Sequence, residues 1–427
     1  MIPSLYRLAM KTCVKGMVNR SKKAAARANN KLHNLPASVL MEIIEEMSPY
    51  SVLSRTLHRE LSDPDLFIRL FMANGTIRMR LERCLAEASL IGKSVLPDVV
   101  RNWCKVMGSD TSVRSVSLQY TQGVLELGTY LHEGGWAHQS VKVLRIALRM
   151  IPKDNPSLKI ECVQKILRAE GSALLRAKAD VTCNKLLAMI ADNAEDEVRL
   201  KVFLEVANHH YKAQRYEESD RWTLKALELI SETTKAEIII EFLQLKALYL
   251  FRTRHNDTAN LVIRQAIYRA RQTFGHHHRR YADTLYTYGV SLLRTNCCWN
   301  AIQILLELLG IITSLYGKFT PHVEDIESYL AFGFNRLSQA TGRIGPNQNR
   351  IHNTIRLAET IMRYRGLACH FGAVRTMIIR GRDDFLDASD KNRIAGVNDN
   401  EILPVEEIKQ LCFQLSENFS LGEPSRK

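Results

Sequence analysis

Leu127-Gly128-Thr129-Tyr130-Leu131-His132-Glu133-Gly134-Gly135-Trp136, continued by Ser140, Leu144, Ala147 and Pro152, is the stretch that decides the fold. Small residues (Gly128, Ser140, Ala147) stand where two helices must approach closely, and Leu127, Leu131 and Leu144 fill the space beside them. Gly134-Gly135 supplies the turn. Pro152 stops the second helix, because proline lacks an N–H donor and clashes with the preceding turn. The pattern is one helix–turn–helix unit of about 34 residues. Such a unit cannot bury its apolar face alone, so one good copy predicts neighbours and argues for a binding scaffold rather than an enzyme.

The neighbours are present and are of the tetratricopeptide type. Ala207, Ser219 and Ala226 take the small positions in the next unit, with Tyr216 as the aromatic before its second helix. Ala247, Ala259 and Ala266 form a third, followed by Ala270, Phe274 and Gly275. In a fourth, Gly289 and Ala301 are small and Leu308 replaces the last alanine. A fifth begins at Leu330, Ala331 and Phe334 and then fades into the breakers Thr341-Gly342 and Gly345-Pro346. Units two to four recur at about 40 residues, so their helices or loops are longer than in a minimal repeat. The expected fold is an all-α, tetratricopeptide-like α-solenoid preceded by a helical amino-terminal region.

Composition agrees with a helical scaffold. Gly (21) and Pro (11) are sparse over 427 residues, and no apolar run is expected to reach a membrane span. Nine scattered cysteines with no Cys-x-x-Cys pair fit a reduced, intracellular setting. Cys297-Cys298 beside Trp299 reads as packing. His276-His277-His278 reads as a polar inter-repeat turn, since no cysteine or carboxylate is placed to complete a metal site. No phosphate-binding loop, nucleophile elbow or zinc-protease motif is present, so no catalytic residue, metal or cofactor is expected.

From Met1 to Met41 the chain has no acidic residue and carries Arg7, Lys11, Lys15, Arg20, Lys22, Lys23, Arg27 and Lys31. A solvated basic linker, a mitochondrial presequence and a contact with an acidic surface or nucleic acid all fit. Tyr6 is the one aromatic in the run, which leaves base stacking little to use, and no nucleic-acid partner is expected. The net charge of +14 favours acidic partners without identifying one. Two apolar blocks flank the basic run. Leu5, Ala9 (or Leu8), Cys13 and Met17 share one helical face, with Ser4 placed to cap it. Leu35-Pro36-Ala37-Ser38-Val39 leads into a stripe of Leu40, Ile43, Ile44 and Met47 that Ser48-Pro49 ends.

These blocks carry a resemblance. A Leu-x-x-x-Ala helix followed by Leu-Pro-x-x-Val resembles the paired boxes of elongin-binding and cullin-2-binding substrate receptors. The resemblance implies that Leu5, Ala9 and Cys13 dock on elongin C, and that Leu35, Pro36 and Val39 contact the cullin. Gln265–Gly275, ending in Ala270-Arg271-Gln272-Thr273-Phe274-Gly275, and Tyr281–Gly289 are similar to repeats of a tetratricopeptide receptor in this class. The Phe274-Gly275 ending is also similar to kinesin light chains. The likeness spans roughly residues 1–335.

The resemblance implies a non-catalytic receptor of an elongin–cullin RING ubiquitin ligase, with elongin B/C and cullin-2 as partners. It also implies capture of peptide tails, among them that of the amyloid precursor protein, and association with microtubules. A transport or microtubule adaptor is the competing reading. The cytoplasm is the expected location, with nucleus, cytoskeleton and membrane association also implied. The expected organisation is residues 1–50 as box-like helices, 51–115 as a helical connector, 116–335 as the repeat array, and 336–427 as a divergent, partly disordered tail with a final helix, Val405–Phe419, that has Ile408, Leu411, Cys412 and Leu415 on one face. Concave repeat surfaces suit peptide capture, and the candidate lining residues are Tyr130, His210, Tyr211, Tyr249, Arg252, Tyr286, Tyr288 and Arg294. Arg252 and Arg294 are the cations placed to meet a carboxylate.

Overall fold

The computed structural model describes residues 5–21, 35–61, 63–87, 89–90, 93–94, 96–109, 118–152, 154–190, 195–341, 402–410 and 412. The fold is all-α. Its helices are α1 (Leu5–Ser21), α2 (Ala37–Met47), α3 (Ser54–Leu61), α4 (Pro64–Phe71), α5 (Gly75–Glu87), α6 (Leu96–Ser109), α7 (Leu118–Glu133), α8 (Ala137–Met150) and α9 (Pro156–Ser172). They continue as α10 (Arg176–Met189), α11 (Asp196–Lys212), α12 (Tyr216–Leu229), α13 (Ala236–Arg252), α14 (Asn256–Phe274), α15 (Arg279–Arg294), α16 (Cys298–Tyr316) and α17 (Pro321–Thr341). A two-residue antiparallel ladder pairs Ser89 with Ser94 and Leu90 with Lys93. Two compact units divide the chain: one comprises Met1–Leu175 with Ile312–Glu327, the other Arg176–Ile311 with Ser328–Lys427.

In the first unit, α1 to α6 surround a core of Leu40, Met41, Ile44, Leu66, Phe67, Leu70, Leu81 and Trp103. Phe67 and Phe71 stack at 5.9 Å along α4. Local chemistry sets the helix starts. Asp63 Oδ1 accepts from Leu66 N at 3.1 Å, and Asn74 Oδ1 from Ile77 N at 2.9 Å. Each side chain satisfies an N–H that the first helical turn leaves without a partner. The helices α3 to α6 lie within the stretch expected as a helical connector.

The repeat chemistry is visible atom by atom. A Cβ on Gly128 would lie 2.5 Å from Leu144 Cδ2, and one on Gly289 would lie 3.0 Å from Leu305. In these two pairs the small residue of the first helix is thus set by the large residue of the second. Ser140 Oγ donates to the Gly128 carbonyl at 2.7 Å, and Ser219 Oγ to the Ala207 carbonyl at 2.8 Å. Fully buried Leu131 and Leu144 each contribute about 1.5–3 kcal/mol of apolar burial.

Each first helix from α7 to α15 ends in the same turn. Trp136 N donates to Leu131 O, Leu175 N to Glu170 O, Arg215 N to His210 O, His255 N to Leu250 O and Cys297 N to Leu292 O. A tighter bond is nested inside each, from Gly135 N to His132 O and from Leu174, Gln214, Arg254 and Asn296 in turn. The residue making that inner bond has positive φ each time: Gly135 +94°, Leu174 +57°, Gln214 +66°, Arg254 +67° and Asn296 +67°. This nested pair is the Schellman ending, which normally selects glycine. The register places an additional first helix in α9, between the first two units read from the sequence.

The helix α17, which begins in the expected array, runs on to Thr341. One expectation changes. Cys298–Tyr316 is long and apolar enough to cross a membrane by length and composition; here Ala301, Leu305 and Leu308 are buried as the second helix of a repeat. The expected final helix is described over residues 405–410 and at residue 412, and residues 411 and 413–427 lie outside those described. Residue Ser4 and the basic residues 22–34 also lie outside the description.

Candidate functional site

Two surfaces carry the candidate interaction residues, one in each unit. In the first unit α1 packs on α2 through Val14, which is buried, with Met10, Met17 and Val18 half-buried around it. The opposite side of α1 is open. Leu8, Ala9 and Cys13 are exposed there, Leu8 at 47%, while Tyr6, 48% exposed, lies at the edge beside α2. Tyr6 bonds to Glu42 of α2, and that bond holds its hydroxyl above the ordinary range. Ala9 and Cys13, two of the candidate elongin contacts, therefore lie on the open face; the side chain of Leu5 lies outside the description. In the second block Pro36 is exposed and Leu35 and Val39 are half-buried, while Leu40 turns into the core. Leu40 N donates to Pro36 O at 2.9 Å, so α2 begins where the proline permits it.

In the second unit the ends of the first helices gather a strip of cations and rings. Arg252 Cζ lies 4.7 Å over the Tyr216 ring. Tyr216 meets Tyr211 edge to face at 5.4 Å. Arg294 Nη1 donates to Tyr211 Oη at 3.4 Å. Arg336 Nη1 donates to Leu293 O at 3.5 Å and to Asn296 Oδ1 at 3.4 Å, with its guanidinium 4.8 Å over Phe332. Arg252, Arg294 and Arg336 recur at about one repeat, roughly 40 residues, so each cation takes nearly the same place on its own helix. A groove of 520 Å³ opens at this end, lined by Val290, Leu293, Arg294, Ser328, Tyr329, Phe332 and Arg336.

Burial raises the Tyr211 hydroxyl, with the Arg294 guanidinium opposing the shift. The tyrosine is thus a neutral donor and acceptor, and the arginines carry the charge. Such a surface favours an acidic side chain or a terminal carboxylate over the apolar floor of the groove.

The expected lining residues separate into three sets. Tyr211, Arg252 and Arg294 come together in the strip. Tyr286 meets Tyr329 edge to face at 6.0 Å, beside the groove. Tyr249 is half-buried with the Lys246 ammonium 5.3 Å from its ring, and burial lowers the pKa of half-buried His210. Tyr130 and Tyr288 do not line an open surface. Tyr130 is buried in the first unit, 6.0 Å from Phe71 and 5.3 Å from Tyr316, and burial drives its hydroxyl upward. Tyr288 is 8% exposed and packs against Phe251 at 6.4 Å.

The sequence marks Tyr216 only as a repeat residue and does not single out Phe332, Tyr329 or Arg336; the interval from Arg294 to Arg336 is the signal that marks the last of them. Among the described residues no group of three or more metal-ligating side chains converges. His278 stacks on Phe274 at 4.6 Å, and its Nδ1 accepts from Arg280 N at 3.1 Å to start α15.

No family model matches the chain. The chain is similar to amyloid protein-binding protein 2 of Rattus norvegicus and of Mus musculus, at 22% identity over 317 residues in each case. The alignment covers 72% of this chain and 53% of each relative, so the chain spans about half the length of the curated relatives it matches. The relationship is a distant one.

Proposed function

We propose that this chain is a non-catalytic substrate receptor of an elongin-containing cullin-RING ubiquitin ligase, working in the cytoplasm. The observation that carries this reading is the open face of α1, where Leu8, Ala9 and Cys13 stand exposed on a helix held from behind by Val14. A helix anchored on one side and apolar on the other suits insertion into a partner's groove. Leu35, Pro36 and Val39 follow at the start of α2 as the cullin contact. The Arg252–Arg294–Arg336 strip then holds the target's peptide tail, and its contribution to ubiquitin transfer is proximity.

The test is affinity capture of the tagged full chain. Ala9→Asp with Cys13→Asp removes elongin B/C and cullin-2 from the eluate while the far-ultraviolet circular dichroism stays unchanged. Pro36→Ala with Leu35→Ala removes cullin-2 and leaves elongin. Undiminished recovery of both partners by the α1 variant sinks the proposal.

The cationic strip also favours a second reading, an adaptor for acidic cargo tails on microtubules. The name of the relatives points to amyloid protein as such a ligand. Co-pelleting with microtubules by the α1 variant, with no elongin bound to the native chain, selects this reading.

A further inference from the structure

Residues 402–410 and 412 belong to the second unit and meet it at α14. Leu403 N donates to Gln265 Oε1 at 3.0 Å, and the Arg269 guanidinium donates to the Leu403 carbonyl. Both polar groups of one backbone residue are thus held by two side chains one turn apart on α14. Ile408 N then donates to Pro404 O at 3.1 Å, and a short helix runs over residues 405–410. Val405, Ile408 and Cys412 turn inward, at 7%, 3% and 0% exposure, while Glu406 and Glu407 face solvent.

The floor beneath is polar where a repeat is ordinarily apolar. Lys246 of α13 is fully buried and lies 2.8 Å from Asp220 Oδ1 of α12. The same register position holds Leu127, Ile166, Val206 and Tyr288 in the other first helices. Cys412 sits within the field of both charges, and burial pushes its thiol up to about 11. Gln265 is itself 3% exposed. A main-chain clamp, a buried ion pair and a strip of apolar contacts at i, i+3 and i+7 together make a peptide site.

We propose that this face of α12–α14 is a peptide-docking site for an extended residue followed by an amphipathic turn of helix, and that residues 402–412 are its resident ligand, held reversibly. A second peptide of the same pattern then gains access only by competing with the resident segment. The proposal stands apart from the ligase reading, since it uses neither α1 nor the cationic strip.

The test uses the full chain and two readouts. In the native chain, maleimide modifies Cys412 about tenfold more slowly than exposed Cys297, as read by peptide mass spectrometry. Val405→Asp with Ile408→Asp brings the two rates together. Gln265→Ala with Arg269→Ala, which leaves the segment's apolar residues in place, raises the Cys412 rate as well. A fluorescent peptide of residues 401–413 carrying Cys412→Ala binds the Val405→Asp/Ile408→Asp chain and not the native chain, and adding Gln265→Ala and Arg269→Ala abolishes that binding. Native Cys412 reacting as fast as Cys297 overturns the proposal. So does a peptide that ignores the segment variant, or one that binds native and variant chains alike.

Discussion

Ser219 donates a hydrogen bond of 2.8 Å to the carbonyl of Ala207, across the helix pair α11–α12, as Ser140 does to Gly128 in α7–α8. The serine occupies a position that is alanine in the following pairs, Ala259 and Ala301. Replacing it by alanine removes the bond without opening a cavity, so Ser219→Ala costs about 1 kcal/mol. Urea unfolding followed by circular dichroism reads this as a lower midpoint at unchanged slope. Ser219→Leu costs several times more, because the site is buried against the neighbouring helix.

Gly128 and Leu144 form a coupled pair. Gly128→Ala forces the Leu144 side chain aside, since the new Cβ meets Leu144 Cγ at 2.6 Å. The expected cost is about 1–3 kcal/mol. The double variant Gly128→Ala/Leu144→Val recovers part of it, and a double-mutant cycle measures the coupling. Additive losses contradict the packing described here.

Leu174 stands at φ +57° with 76% of its surface exposed. Its side chain makes little use of the site, and its backbone takes the conformation that L-residues avoid. Leu174→Gly therefore stabilises the chain by about 1 kcal/mol or less, the strain relieved being partly offset by the freer unfolded chain. Thermal unfolding shows a rise in Tm; a fall overturns the assignment of that turn.

Glu197 is held down to about 2 by hydrogen bonds from Lys201 and then Lys235. An unfolded glutamate titrates near pH 4.3, so the folded carboxylate binds its proton less readily. The stability this gives is fully present above that pH and is lost as pH falls toward about 2. Both lysines are well exposed, so salt screens the effect. Glu197→Gln lowers the urea midpoint at pH 7 and leaves it unchanged at the acid end of that window.

The lysine buried beneath the carboxyl-terminal segment gives a further test. Asp220→Ala strands the Lys246 ammonium without its partner and costs about 3–5 kcal/mol. Replacing both, as Asp220→Leu with Lys246→Met, restores most of that loss. Chemical denaturation of the three variants separates these outcomes.

Much of the repeat fold was legible because close helix approach restricts residue size. Gly128, Ala207, Ala247 and Gly289 mark that approach in the sequence as they do in the structure. The helix α9 escaped notice because Leu167 holds the same register position, followed by Cys183 and Leu186 where the other units are more regular. A larger residue there erases the local signal, although the turn at Leu174 keeps the backbone pattern. The amino-terminal packing was less legible, since Phe67, Leu81 and Trp103 follow no repeat. Tyr130 was misjudged for a long-range reason: Phe71 and Tyr316 cover it from distant parts of the chain. In the tail, a helix with Ile408, Leu411, Cys412 and Leu415 on one face was readable, but the surface that receives Ile408 and Cys412 was not.

The recurrent helix-ending turn makes the chain divisible. Gln214 and Arg254 have nearly the same φ and the same nested pair of hydrogen bonds. They are interchangeable joints. A chain excised from Arg215 through Arg254 would bring Gln214 against His255, so that α11 runs into α14 through an unaltered turn. The length of such a protein can change by whole repeats without a new backbone solution, and the side chains that face each other across the splice decide whether the shortened molecule holds.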